Sequence, residues 1–163
     1  MSQLAKTRPA KPAAVKDAAF NWEDPLDLEG ELTEEDRMVR DTARGYAQAK
    51  LFPRVLTAYR EERYDPEVVR EMGELGLLGP TIPEEYGGAG MGISELALVC
   101  EEIAHQGCPH IFLIVSPAIC ASILSRHGSD EQKKQWLSSM ATGETRIAFA
   151  ITEPDAGSNT HKL

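Results

Sequence analysis

Between Thr33 and Ala141 the apolar residues of this chain recur every three to four positions, in runs punctuated by capping residues, glycines and prolines. A chain with that period must bury helical stripes against one another. In "ELTEEDRMVRDTARGYAQAKLFPRVLTAYREER", Thr33 is placed as an N-cap with Asp36 three residues on. Met38/Val39, Thr42/Ala43 and Tyr46/Ala47 follow at helical spacing, then Val55, Leu56 and Tyr59 beyond Pro53, where a bend or break is expected. "YDPEVVREMGELGLLG" predicts a helix of about three turns, with Asp65 as cap, Pro66 at its first position, a stripe of Val68, Val69, Met72 and Leu75, and a stop at Gly76. "ISELALVCEEIAHQG" places Leu96, Val99, Cys100 and Ile103 on one face and ends at Gly107. "HIFLIVSPAICASILSRHG" is apolar almost all round, which predicts a buried central helix bent by Pro117 and ended by Gly128. Ser129 and Gln132 form a capping box for "SDEQKKQWLSSMATGE", with Trp136, Leu137 and Met140 turned inward.

Five or six helices are therefore expected over residues 33–141. Among them "PTIPEEYGGAGMG" reads as a flexible surface turn. Its Gly88, Gly90 and Gly92 lack the spacing and the preceding strand of a phosphate-binding loop. After Gly143 the period changes to two: "TRIAFAITEP" is rich in Ile, Phe and Thr, and a strand is expected from about Arg146. Helices followed by a strand indicate separate layers or domains, and a lone strand does not stabilise itself.

Charge narrows the function. The net charge is −9, although residues 1–16 carry Lys6, Arg8, Lys11 and Lys16 and no acid. An acidic body excludes a nucleic-acid surface, which needs clustered Lys and Arg. No run of eighteen apolar residues is present, so no membrane span is expected. The opening nineteen residues, basic, alanine-rich and interrupted by Pro9 and Pro12, predict a disordered arm. Free of acids up to Asp17, they also admit a mitochondrial presequence, against which stand a single Arg and two helix-breaking prolines. Cys100, Cys108 and Cys120 fit neither a disulfide framework nor a metal knuckle and point to a reducing compartment.

Three clusters hold residue types that carry chemistry. "HQGCPH" gathers His105, Cys108 and His110, a pattern open to an activated thiolate or a metal ligand set and equally to an ordinary interhelix turn. The carboxylates of "GELTEEDR" are explained by the macrodipole at a helix start. "FAITEPDAGSNTHKL" is harder to explain by packing. Thr152 and Ser158 bring hydroxyls, Pro154 turns the chain out of regular pairing, and Ala156 and Gly157 leave room for a ligand to approach the backbone. An ordinary strand end and turn remains the other reading of the same residues.

"FAITEPDAGSN" resembles the flavin-contact signature of the acyl-CoA dehydrogenase family, and "MGELGLLGPTIP", "EEYGGAGM" and "HGSDEQKKQWLSSMATGE" match the same family. The resemblance runs from Phe20 to Leu163. It implies a mainly α fold: an N-terminal all-helical domain of five or six helices, then the first strand of a β-barrel domain. The implied division is 1–29 arm and lead-in, 30–145 helical domain, and 146–163 the start of the barrel. By resemblance, Phe149, Ile151 and Thr152 meet FAD, Gly157 is the small residue beside it, and Ser158 meets both FAD and the acyl-CoA substrate. The implied reaction is α,β-dehydrogenation of an acyl-CoA thioester: a carboxylate base takes the α-proton while the β-hydrogen leaves as hydride to the flavin.

The family's base is a Glu of a C-terminal helical domain expected to lie outside this chain, so no catalytic residue and no metal ligand are assigned. Glu153 belongs to the turn of the motif, and Asn159 stands where Asp is usual. The chain alone is thus expected to be an incomplete enzyme. The resemblance further implies electron-transfer flavoprotein as partner, a homo-oligomer, and a cytoplasmic location or, in a eukaryote, the mitochondrial matrix. The first half looks most like glutaryl-CoA dehydrogenases, which hold the distal carboxylate with an Arg-Ser pair. Here His110 and Ile111 stand near that place, in an apolar helix better suited to an aliphatic acyl chain. The alternative is a non-catalytic helical module that pairs with a full-length homologue.

Overall fold

The computed structural model describes residues 20–107, 110 and 112–162. The expected N-terminal arm and Cys108 lie outside them. The described residues fall into two compact units that divide between Leu32 and Thr33. Within the first, Phe20 and Trp22 meet edge to face with ring centroids 4.8 Å apart. The Asp24 carboxylate accepts the N–H groups of Leu28 and Glu29, both at 2.8 Å, at the start of the short helix α1 (Leu28–Glu31).

The second unit is helical. Helix α2 (Glu34–Tyr46) opens on a full capping box: Thr33 Oγ1 accepts the Asp36 N–H at 3.1 Å, and the Asp36 carboxylate accepts the Thr33 N–H at 2.8 Å. Pro53 does not break the run. Five residues of π-helix, Ala47–Leu51, lead directly into α3 (Phe52–Arg60). Pro53 has no N–H to offer the preceding turn, and widening that turn absorbs the missing bond. Helix α4 (Glu67–Glu74) is shorter than the three turns expected. Asp65 still serves its start, accepting the Glu67 N–H at 3.1 Å. Its end closes where Gly76, at φ 73°, lets the Leu77 N–H reach the Met72 carbonyl at 2.9 Å.

Residues 79–92 are not a loose turn. Ala89, Gly90 and Met91 donate their N–H groups to the carbonyls of Gly79, Ile82 and Pro80 at 2.8–3.0 Å, folding the loop on itself. A Cβ on Gly88 would lie 2.1 Å from the Ile82 carbonyl oxygen, so only glycine permits that approach. Helix α5 (Ile93–His105) follows, with the Glu95 carboxylate accepting the Gly92 N–H at 2.9 Å. Then come α6 (Phe112–His127), with Pro117 inside it, and α7 (Asp130–Ala141), which opens on the expected Ser129–Gln132 capping box.

Two buried clusters hold these helices together. One gathers Ala43, Tyr46, Leu51, Val68, Met72, Val99, Ile103 and Ile114 from α2, the π turn, α4, α5 and the start of α6. The other joins Ile82 of the folded loop to Ala121 of α6 and to Leu137, Met140 and Ala141 of α7. Helix α6 is not the buried central helix its composition predicts. Of its apolar residues Ile114 and Ala121 are buried, whereas Phe112, Val115, Ile119 and Ile123 form an exposed stripe. An all-round apolar helix needs neighbours on every side, and in this unit α6 has them on one side. Trp136, expected inside, is 37% exposed at the edge of the second cluster, and Leu75 and Met38 also face outward.

The strand expected from Arg146 forms no ladder. Among the described residues the β-type pairing is a single bridge between Glu153 and Ala156. The backbone N–H and C=O groups of 145–152 meet no neighbouring strand, and pairing is what turns an extended segment into a strand. No described helix is long and apolar enough to cross a membrane.

Candidate functional site

The segment from Thr145 to Ser158 leaves α7 through Gly143, at φ 78°, and returns along α6. Its exposure alternates with a period of two: Thr145, Ile147 and Phe149 are half-buried, while Arg146, Ala148 and Ala150 face out. Ile147 packs on the cluster of Ala121, Leu137 and Met140, and the Phe149 N–H donates to Ser116 Oγ of α6 at 3.4 Å. Beyond Ile151 the chain makes a tight turn around Pro154 and Asp155. The Glu153 N–H donates to the Ala156 carbonyl at 2.9 Å and the Ala156 N–H to the Glu153 carbonyl at 3.2 Å. Ala156, which closes the turn, is itself buried at 2% exposed.

On this support the residues singled out in the sequence fall into two groups. Phe149 is half-buried and tied to α6. Ile151, Thr152, Gly157 and Ser158 are exposed, and a Cβ added to Gly157 would meet nothing within 4 Å. The small residue at 157 is therefore not required by packing within this chain. Glu153 has its backbone committed to the turn, as expected of a structural position. Beside the segment lies a groove of about 380 Å³ lined mainly by Cys120, Ile123, Leu124, Trp136 and Ile147, open enough to admit an apolar group.

Other titratable clusters in the helical body hold the helices in place. Arg44 grips the buried Glu102 with both carboxylate oxygens engaged, at 2.9 and 2.6 Å, joining α2 to α5. Arg54 grips Glu71 in the same way at 3.0 and 2.8 Å and reaches Asp65 at 3.3 Å. Tyr46 donates its hydroxyl to Glu71 at 2.9 Å. The Arg54 hydrogen bond holds the Glu71 carboxyl below its ordinary value, and burial, followed by Glu71 itself, raises the Tyr46 phenol. These pairs link residues far apart in sequence and leave no local pattern. The one hint is a Glu at position 102 on the buried face of α5, beside Val99 and Ile103.

The "HQGCPH" turn gathers no described site. His105 is exposed, Cys108 lies outside the described residues, and His110 is half-buried with its Nδ1 unbonded and its ring pushed toward the neutral form by burial. Burial raises the thiols of Cys100 and Cys120, the opposite of thiolate activation. Among the described residues no group of three or more His, Cys, Asp or Glu could hold a metal ion.

Residues 33–144 match the family description "Acyl-CoA dehydrogenase, N-terminal domain". The chain belongs to the acyl-CoA dehydrogenase family. An acyl-CoA dehydrogenase of Mycobacterium tuberculosis, fadE12, is 51% identical over 104 residues, which is 64% of this chain and 27% of the relative. A glutaryl-CoA dehydrogenase from Mycobacterium smegmatis, solved in complex with FADH2, superposes with a TM-score of 0.77 at 29% identity, covering 84% of this chain and 36% of that one. Butyryl-CoA dehydrogenase from Megasphaera elsdenii gives 0.72 at 28% identity, covering 79% and 35%. This acyl-CoA dehydrogenase chain thus spans about a third of the proteins it matches.

The segment offers exposed hydroxyls at Thr152 and Ser158 and a glycine with open space at its Cβ position, on either side of the turn closed by the Glu153–Ala156 backbone pair.

Proposed function

We propose that this chain supplies the helical domain and one flavin-contact wall of an FAD-dependent acyl-CoA dehydrogenase. The observation that carries the reading is the placement of Thr152, Gly157 and Ser158. They lie exposed on either side of a backbone-bonded turn, in a chain whose residues 33–144 match the family's N-terminal domain. FAD, when bound, would supply the acceptor for the β-hydrogen. The chain's own part is to bind and orient. Phe149 and Ile151 would present backbone and apolar surface, Thr152 and Ser158 would offer hydrogen bonds, and Ser158 would also face the acyl-CoA.

On this reading the α-proton base is none of these residues, and Glu153 serves the turn through its backbone. On this reading the chain binds without completing the reaction alone, and acyl-CoA, electron-transfer flavoprotein and a homo-oligomeric setting belong to the activity it serves. The substrate is an aliphatic acyl-CoA. Helix α6 bears no charged side chain before Arg126, so it offers no cation to a distal carboxylate in its apolar stretch. On this reading the helical domain spans 30–145, and the segment from 146 begins the barrel domain.

Incubation with FAD followed by removal of the excess tests the reading. Saturable flavin association that is weakened in Thr152→Ala and Ser158→Ala is expected, without bleaching of the oxidised flavin on addition of butyryl-CoA. A chain that takes up no flavin at any concentration would favour the interaction-module reading, for which the exposed stripe of Phe112, Val115, Ile119 and Ile123 is the supporting observation.

A further inference from the structure

The residues Phe112, Ser116, Cys120 and Leu124 lie four apart on α6 and so form one row along the helix. The Thr145–Phe149 segment runs along this row in the opposite direction. Thr145 and Ile147 share a groove with Cys120 and Leu124, and Phe149 reaches Ser116. The two spacings match: four helical residues advance about 6 Å and two extended residues about 6.6 Å. Along that row Ser116 carries the one oxygen acceptor side chain. It meets a segment whose backbone has no strand partner and would otherwise lie half-buried with its N–H unsatisfied.

We propose that Ser116 is a positioning residue for the flavin-contact wall. By accepting the Phe149 N–H, its Oγ tethers the segment to α6 and limits where Thr152, three residues and at most about 10 Å further on, can lie. Apolar packing at Ile147 holds the segment down but is non-directional, whereas the hydrogen bond fixes one backbone atom against the helix. The start of the flavin-contact segment is thereby coupled to α6. The functional part of this proposal rests on the reading of the segment as a flavin-contact surface.

Backbone amide exchange measured by NMR on the full chain tests the tether, with an FAD titration on the same samples. In Ser116→Ala the Phe149 amide should exchange about five- to tenfold faster, the value of one net hydrogen bond, while the Val99 and Ile103 amides of α5 keep their rates. Ser116→Thr, which keeps the hydroxyl, should restore protection at Phe149. FAD-induced shifts at Thr152 should weaken in the Ala variant and recover in the Thr variant. Equal Phe149 exchange in wild type and Ser116→Ala would overturn the tether, as would faster exchange spread evenly through α5. Protection at Phe149 that depends on Ser116, in a chain showing no FAD-induced shifts, would uphold the tether and refute the flavin reading.

Discussion

Gly45 and Gly73 both sit within helices, and the same substitution should move stability in opposite directions at the two sites. Gly45 lies in α2 where the helix continues into the π turn, and a Cβ built there meets nothing within 4 Å. Gly45→Ala should therefore stabilise by about 0.5–1 kcal/mol, through the lower entropy of the unfolded chain and the better helix propensity of Ala. Gly73 lies in α4 with the end of α7 pressed against it: a Cβ there would stand 2.1 Å from the Thr142 carbonyl oxygen and 2.4 Å from its carbon. Those atoms are backbone, held by the Gly143 turn with its φ of 78°, and cannot rotate aside. Relief requires α4 and α7 to separate, which disturbs Met72 on one side and Met140 and Ala141 on the other. Overpacking of this kind costs about 1–3 kcal/mol, with a rigid backbone contact at the upper end, and outweighs the propensity gain. The two variants should differ by about 3 kcal/mol in urea unfolding followed by far-UV circular dichroism. A Gly73→Ala protein as stable as Gly45→Ala would refute the packing of α4 on the end of α7.

Arg44→Met should destabilise by about 2–3 kcal/mol, because it strands the buried Glu102 carboxylate, and Arg44→Met with Glu102→Met should recover most of the loss; thermal unfolding of the three proteins checks this. Glu71, held below the ordinary carboxyl value of 4.5 by Arg54, stabilises the fold above that pH, and the contribution disappears as pH falls through the lowered value. Acid unfolding should accordingly be less steep in Glu71→Gln than in wild type, with the two converging in acid and separating toward neutral pH. Met72→Ala, at a fully buried site of α4 in the first cluster, should cost about 2–5 kcal/mol by the same urea assay.

What the sequence disclosed depended on whether the cause was local. The capping boxes at Thr33 and Ser129 and the glycine stop at Gly76 are fixed by residues within a few positions, and each formed where its pattern lies. The interruption at Pro53 is visible in the sequence, but nothing in the apolar pattern distinguishes a break from the π turn of Ala47–Leu51 that forms there. The exposure of Phe112, Val115, Ile119 and Ile123 escaped the pattern because periodicity shows what wants burial and not what is present to cover it. The same limit removed the strand after Arg146, whose alternation is real but whose pairing partner is not. The Arg44–Glu102 pair, 58 residues apart, belongs to tertiary structure alone. At the candidate site, motif resemblance points to Thr152 and Ser158, whereas Ser116, whose hydroxyl accepts the Phe149 N–H, lies in none of the four stretches that match family motifs.

Whether the surface from Phe149 to Ser158 meets a flavin is the central question. Titration of the isotope-labelled chain with FAD, followed residue by residue in amide spectra, examines it directly. Shift changes concentrated at Phe149, Ile151, Thr152 and Ser158, saturable and diminished in Thr152→Ala with Ser158→Ala, are the predicted result. An unchanged spectrum, or changes confined to the Arg54–Tyr64 side of the helical body, would contradict it.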